Sequence, residues 1–380
     1  MKGLYKFLSV LIVAMLVVGC GPTGSSDDKV VLGVNFDLSG AGGMYGQQEL
    51  EGVKLAVKQF NEKGGYNGKE VEILHQDNTT NPQEAARLQT VLAESGVFAI
   101  IGATTSGTST TAIQASKELE VPTVSPSATS DLVTNDGSKG YAYGYRVSFS
   151  DSSQGSVIAN FAEESKFNNI YIFSDNSSDY GKGLSSTFKS SFDGTIVGED
   201  FFKEGDEDFN VFWNKIKGMS NVDAVFIPGY ATELALIIKQ ARDNGVNLPI
   251  LGADGLSDLD GIVATAGPSA VSNIFFSNHY SAMIEDEYNK AFVEAFEKEY
   301  GKKPETFSAL AYDATNLVLD ALVRADSTDP KLVNEQIAKT IDFKGVTGVI
   351  SIDELHNAYK SIYIIELSNG VEVKATEVKP

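Results

Sequence analysis

From Val30 onward, short apolar runs alternate with longer segments whose apolar residues recur every three or four positions. The runs VVLGVNF, EVEILHQD, VFAIIG, VPTVSP, NIYIFSD, IVGEDFF, VDAVFIPG and LPILGAD read as strands. Most are nearly continuous in apolar residues, as parallel strands buried on both faces are. Between the first two, Leu50, Val53, Val57 and Phe60 share one helical face, and Gly64-Gly65 ends that helix. A second helix, NPQEAARLQTVLAES, has Pro82 in its first turn, where a missing N–H costs nothing. Further helices are predicted over residues 111–120, 156–167, 180–192, 208–219 and 232–245. Strands alternating with helices of this length imply βαβ units and parallel sheets. The rhythm restarts near Asp151, which predicts two doubly wound α/β lobes. Tyr288, Ala291, Phe292, Ala295, Phe296 and Tyr300 then line one face of a helix closed by Gly301. A more apolar helix follows over 308–325, and strands SIYIIEL and VEVKA flank an Asn369-Gly370 hairpin turn. Elements that return after the second lobe is made imply a hinge of several strands.

The chain has 380 residues, more than one average domain. Its formal charge is −21, without the clustered Lys and Arg that a phosphate backbone requires, so no nucleic-acid partner is expected. The N-terminus stands apart. Lys2 and Lys6 precede an apolar run of 12 residues, Phe7 to Val18. That is short of the ~20 residues of a membrane span and fits a signal-peptide core. Cys20 follows VVG and is the one cysteine in the chain, a pattern that resembles a bacterial lipobox. The resemblance implies a signal peptide over 1–19, acylation at Cys20 and a flexible tether over 20–28, anchoring the protein outside the cytoplasm. The acidic, tethered form points to the cell surface of a one-membrane bacterium rather than a periplasm. With one cysteine there is no disulfide framework.

Signatures of catalysis are missing. His75, His279 and His356 are far apart in sequence and not in metal-ligand spacing, and each reads as a surface or packing residue. There is no H-E-x-x-H, no G-x-S-x-G and no readable nucleophile–base pair, so neither an enzyme nor a cofactor or metal is expected. GAGGMYG follows a strand but breaks the dinucleotide pattern at Tyr45 and reads as a turn that brings Tyr45 near the site.

GATTSGTS, Gly102 to Ser109, has P-loop spacing with Thr108 at the lysine position. A helix N-terminus there offers N–H groups and a dipole, and Ser106, Thr108 and Ser109 add hydroxyls. Lacking the lysine, the loop suits a singly charged carboxylate; the alternative is an ordinary N-cap without a ligand. VSPSATS follows the next strand, so Ser127 and Thr129 would lie beside Ser106 at the carboxyl edge of a parallel sheet. In the second lobe Tyr180 and Tyr230 sit at helix starts and Asp254 at a strand end. Together they give two aromatic tips and one carboxylate facing a crevice. A zwitterion drawn into a closing cleft needs both charges met, and these two sets meet one each.

The stretches GVNFDLSGAGGMYGQQELEGVKLAVKQFNEKGG, IGATTSGTSTTAIQASKELEVPTVSPSATSDL, DSSQG, SDYGKG, PGYATELALIIKQARDNG and AYDATN, taken in order, resemble the leucine/isoleucine/valine-type solute-binding proteins of ABC transporters. The resemblance implies a type I periplasmic-binding-protein fold, with two doubly wound lobes, three crossovers and a ligand in the cleft. It implies lobe 1 over 29–148 and 279–355, and lobe 2 over 149–278 and 356–380. Ser106 matches a serine on the ligand's α-carboxylate, helped by backbone near Thr105 and Thr129. Ser127 matches a backbone carbonyl for the α-ammonium, and Thr129 a hydroxyl reaching both groups. Asp254 matches the acid that pairs with the ammonium, Tyr180 and Tyr230 the closing residues of the second lobe, and Tyr45 a tyrosine near the ligand side chain. The sequence departs at Asp254, where leucine binders carry Glu, and at Thr104 and Thr105, which replace more apolar residues. The implied protein is a monomer that binds an amino acid, branched-chain or related, and delivers it to permease and ATPase subunits. Alternatives are a receptor for an amide, carboxylate or nucleoside, or a sensory binding lipoprotein.

Overall fold

The computed structural model describes residues 29–379. The expected signal peptide, Cys20 and the whole of the tether over 20–28 lie outside the described residues. Lobe 1 opens with β1 (Val30–Phe36), α1 (Gly43–Glu62), β2 (Val71–Asp77), α2 (Pro82–Glu94), β3 (Ala99–Gly102), α3 (Ser106–Leu119), β4 (Thr123–Ser125) and β5 (Gly144–Arg146). Its five strands run parallel in the order β2-β1-β3-β4-β5. The strand order reverses between β1 and β3, and a ligand crevice is expected beyond the carboxyl ends of such a pair.

The chain then crosses into lobe 2: α4 (Asp151–Glu164), β6 (Asn169–Asp175), α5 (Asp179–Ser191), β7 (Thr195–Phe202), α6 (Asn210–Lys217), β8 (Ala224–Phe226), α7 (Ala231–Asp243), β9 (Ile250–Gly252), a 3₁₀ turn at Asp254–Leu256, α8 (Leu259–Ala266) and β10 (Ile274–Asn278). It returns to lobe 1 with α9 (Glu287–Tyr300), α10 (Thr306–Ala325) and α11 (Pro330–Ile337), then β11 (Phe343–Gly345), β12 (Gly348–Ile352) and β13 (Ala358–Tyr359) in a small sheet of their own. β13 pairs with β12, which keeps the chain on the lobe 1 side a few residues past 355. A third passage places β14 (Ile362–Ser368) and β15 (Val371–Val378) on the second sheet, order β15-β14-β10-β9-β8-β6-β7. β14 and β15 are antiparallel additions to an otherwise parallel sheet.

The apolar alternation explains the layering. In β6, Ile170 and Ile172 pack into one core with Leu184, Phe188 and Phe226. Tyr171 and Phe173 face the other way, into a core with Trp213, Ile237 and Ile250. Helices therefore cover both faces of this sheet. In lobe 1, Leu32, Val34 and Phe36 of β1 pack with Val53 and Val57 of α1 and with Leu310, Ala314 and Leu317 of α10. α10 is buried along nearly its whole length and fixes α1 against the sheet.

Two helix starts differ most from the sequence pattern, and one of them is α4, which begins at Asp151, five residues before the predicted 156. α3 begins at Ser106, five residues before the predicted 111. Its first turns are Ser, Gly and Thr, which carry no apolar periodicity. β5, α8, β10, α11 and β11–β13 are further short elements, of eight residues or fewer, that the sequence pattern does not predict.

Candidate binding site

Five helices carry a side-chain cap of their own: Asn81 on α2, Ser150 on α4, Ser178 on α5, Asp286 on α9 and Asp329 on α11. α3 does not; Thr105 is its N-cap residue, with extended backbone and no capping bond. An uncapped N-terminus at the carboxyl edge of a sheet leaves N–H groups and the positive end of the dipole turned to the crevice. Gly102 precedes it at φ +142°, and a Cβ there would fall 2.2 Å from the Asn35 carbonyl oxygen, so glycine is required. Gly107 has no such need, because a Cβ would meet only Pro82 at 3.8 Å.

The hydroxyls of this loop divide into two groups. Thr105 and Thr108 Oγ1 donate to Asp37 at the end of β1, at 2.8 and 2.9 Å. Ser109 Oγ lies 3.2 Å from Ser125 Oγ, behind the loop. Thr108 and Ser109 therefore pack the loop rather than offer hydroxyls to a ligand, contrary to the sequence expectation. Ser106 faces the cleft, and its Oγ accepts from the Ser130 N–H at 3.2 Å, which leaves its own hydrogen to donate. Burial raises the Asp37 carboxyl above its usual range against four hydrogen-bond donors that lower it.

Lobe 2 supplies the opposite polarity. Asp254, buried in the 3₁₀ turn after β9, accepts from Tyr180 Oη at 2.7 Å. His279 Nε2 lies 3.2 Å from its other oxygen. Burial pushes the His279 imidazole down to about 4, against the pull of Asp254 itself, so it is neutral at pH 7. A neutral imidazole donates a hydrogen bond without cancelling the carboxylate's charge. His279 also stacks on Phe149 with centroids 3.5 Å apart, joining two of the crossovers. It is thus a packing residue, as expected, but one that holds the site's acid. Tyr180 Oη accepts from the Gly255 N–H at 2.8 Å, and its ring stacks on Tyr230 at 5.1 Å. Burial raises the phenols of Tyr45, Tyr180 and Tyr230 well above the usual range, so all three stay neutral.

The two lobes close on each other through lobe 1 side chains that cap lobe 2 helices. Tyr45 Oη accepts from the Ala231 N–H of α7 at 2.6 Å and donates to the Gly255 carbonyl at 2.9 Å. Glu305 Oε1 accepts from the N–H groups of Leu259 and Asp260 on α8, at 3.1 and 3.2 Å. Gln48 Nε2 reaches Asp258 at 2.8 Å.

Between the lobes lies a space of about 270 Å³, lined by Tyr45, Thr104, Thr105, Ser106, Ser127, Ala128, Thr129, Tyr180, Tyr230, Asp254, Gly255 and Phe307. Every ligand-facing residue named from the sequence is on this wall. That space includes open solvent; the enclosed cavity is only about 20 Å³, far below the roughly 300–1,000 Å³ usual for small-molecule pockets, so the lobes are drawn almost together over it. Sequence reasoning missed Phe307, whose ring lies 4.4 Å from that of Tyr45 and completes an apolar corner. Asp151, buried off this wall at the start of α4, is held at 3.0 Å by Gln154 and pushed up to about 8 by burial. Among the described residues no cluster of His, Cys, Asp or Glu is arranged to hold a metal, and no helix is long and apolar enough to cross a membrane.

Comparison with known proteins follows the same lines. A family model described as periplasmic binding protein matches residues 29–372. The leucine-, isoleucine-, valine-, threonine- and alanine-binding protein of Pseudomonas aeruginosa is 27% identical over 351 residues, 91% of this chain and 92% of that one. The structure of the branched-chain amino acid transporter substrate-binding protein LivJ of Streptococcus pneumoniae, in complex with isoleucine, superposes with a TM-score of 0.88. It is 37% identical and covers 93% of this chain and 100% of its own. A leucine-binding protein LivK of Thermotoga maritima gives a TM-score of 0.84 at 34% identity, covering 92% and 99%. A solute-binding protein from R. palustris in complex with benzoate shares the fold, with a TM-score of 0.82 at 23% identity, covering 93% and 98%. The chain belongs to the periplasmic binding protein family.

Proposed function

We propose that this member of the periplasmic binding protein family is the extracytoplasmic substrate-binding component of an ABC importer, and that it holds an amino acid, branched-chain or related, between its lobes. The observation that carries the reading is the placement of opposite polarities on the two walls of one small closed space. Ser106 and the uncapped N-terminus of α3 face it from lobe 1, and the Asp254 carboxyl, beside a neutral histidine, faces it from lobe 2. The α-carboxylate docks on Ser106 and the α3 amides, with backbone near Thr105 and Thr129. The ammonium pairs with Asp254, with the Ser127 carbonyl and the Thr129 hydroxyl beside it. The ligand side chain packs among Tyr45, Tyr230 and Phe307, a corner too apolar for a charged one.

The relatives that bind leucine, isoleucine or valine support this reading. The two lobes act as rigid bodies, with the last passage between them after β13 rather than at 356, and closure shifts a pre-existing open–closed equilibrium to the form that a permease recognises. The same proposal makes the protein a monomer anchored through acylated Cys20.

A thermal-shift and calorimetric screen tests it. Leucine, isoleucine or valine at about 100 Kd adds roughly 2.7 kcal/mol of stability, whereas benzoate and nucleosides add none. Stabilisation by a non-zwitterion together with none by any amino acid overturns the reading in favour of another solute.

A further inference from the structure

We propose that Glu49 is a positioning residue of this site, a neutral carboxylic acid that ties the loop after β3 to the loop after β4. The inference rests on the reading of the cleft as an amino-acid site. Glu49 lies on α1 one turn after Tyr45 and is wholly buried. Its Oε2 is 2.5 Å from Thr104 Oγ1 and its Oε1 is 2.5 Å from Ser127 Oγ. Ser127 Oγ is also 2.9 Å from the Thr104 carbonyl oxygen. The Asp37 N–H donates to Thr104 Oγ1 at 3.2 Å.

Counting hydrogens decides the protonation state. A hydroxyl carries one hydrogen and a carbonyl oxygen can only accept. The Ser127 hydrogen is therefore needed at the Thr104 carbonyl. Thr104 Oγ1 already accepts from Asp37, so its own hydrogen goes to Glu49 Oε2. The contact between Ser127 and Glu49 then holds a hydrogen only when Glu49 supplies it. A protonated Glu49 closes a ring in which each hydroxyl both donates and accepts. An ionised one leaves one short oxygen–oxygen contact without a hydrogen and buries a second charge near Asp37. Burial raises the Glu49 carboxyl well above its usual range, and Asp37 adds to the effect. The groups around it hold no cation to oppose this. The loops after β3 and β4 bring hydroxyls, β1 brings Asp37 and α1 brings the neutral Tyr45 phenol. On α10, Glu305 bonds to α8, and Asp313 to the backbone of Val346 and Thr347.

The ring has two consequences for the ligand. It spends the Ser127 hydroxyl internally, so the serine meets the ammonium through its backbone. It also keeps a negative charge from opposing the ligand's carboxylate beside α3.

The test compares two variants by leucine calorimetry and infrared spectroscopy. Glu49→Gln keeps a donor for Ser127 and an acceptor for Thr104, and is expected to bind leucine within about 3-fold of wild type near pH 7. Glu49→Leu leaves both hydroxyls unpaired and is expected to weaken binding about 10-fold or more. Toward alkaline pH the wild type loses affinity relative to Glu49→Gln as Glu49 ionises, and taking the ratio cancels the ligand's own titration. The infrared difference between wild type and Glu49→Gln at neutral pH shows a protonated-carboxyl band. A missing band, or Glu49→Gln as damaging as Glu49→Leu, overturns the proposal. Should Glu49→Leu not fold, the infrared band and the pH-dependent ratio still decide. If wild type binds no amino acid, the cleft reading fails, while the band still judges the state of Glu49.

Discussion

The two walls of the cleft are built differently. On lobe 1, ligand-facing groups are held by a dense polar network within that lobe: Asp37 anchors Thr105 and Thr108, and Glu49 anchors Thr104 and Ser127. On lobe 2, one acid is held by a phenol and an imidazole, and the wall around it is aromatic. Lobe 1 thus supplies preformed dipoles and lobe 2 supplies charge and apolar cover. A preformed dipole wall costs little reorganisation when a carboxylate arrives. A buried carboxylate is costly until its counter-ion is present. Closure over a zwitterion is therefore favoured more than closure over an anion or a neutral solute. This asymmetry, rather than the aromatic lining alone, is the source of the proposed preference for amino acids.

Substitutions can break this contrast, and the largest effect belongs to the charged wall. Asp254→Ala removes one partner of a buried charge pair and is expected to weaken amino-acid binding by about 3 kcal/mol, on the order of 100-fold, in calorimetry. Ser106→Ala removes one hydroxyl while the α3 amides remain, and about 1.5 kcal/mol, or roughly 10-fold, is expected. A Ser106→Ala effect equal to that of Asp254→Ala would erase the distinction between the walls. The smallest effect belongs to the clasp at the rim. Glu305→Gln weakens an interlobe cap and is expected to lower affinity only a few-fold, alike for every ligand.

Glu305 also predicts a pH dependence. Burial, with Asp258 and Asp260 nearby, raises its carboxyl to about 8. The folded protein therefore holds a proton that the unfolded chain releases near pH ~4.3. Glu305's contribution is fully present below that value, falls as pH rises, and is gone above about 8. Thermal unfolding of Glu305→Gln across this window checks it: the decline with pH should be shallower than in wild type.

Much of this was legible in the sequence where a residue's neighbours in the chain determine its place. β6 matches NIYIFSD end to end, because an unbroken apolar run bounded by polar residues has one reading. Tyr180, Tyr230 and Asp254 stand at strand ends or helix starts, which a βα rhythm locates without coordinates. What stayed hidden depends on contacts between distant segments. Glu49 looks like an exposed acid on an amphipathic helix. Yet Tyr45, Glu49, Gly52 and Val53 share a buried face, and Gly52 is pressed on Ser308, where a Cβ would lie 2.1 Å from the carbonyl oxygen. An acid flanked by inward-facing residues at helical spacing was the available signal. Phe307 gave none, since its role depends on α10 returning from lobe 2. The clasp was equally hidden, because Gln48 and Asp258 are 210 residues apart.

The most direct test is a calorimetric cycle with leucine and its des-amino analogue, 4-methylpentanoate, on wild type and Asp254→Ala. The account predicts that wild type prefers leucine by on the order of 100-fold and that the preference shrinks to within about 3-fold in the variant. A preference for leucine that survives Asp254→Ala undiminished would contradict it.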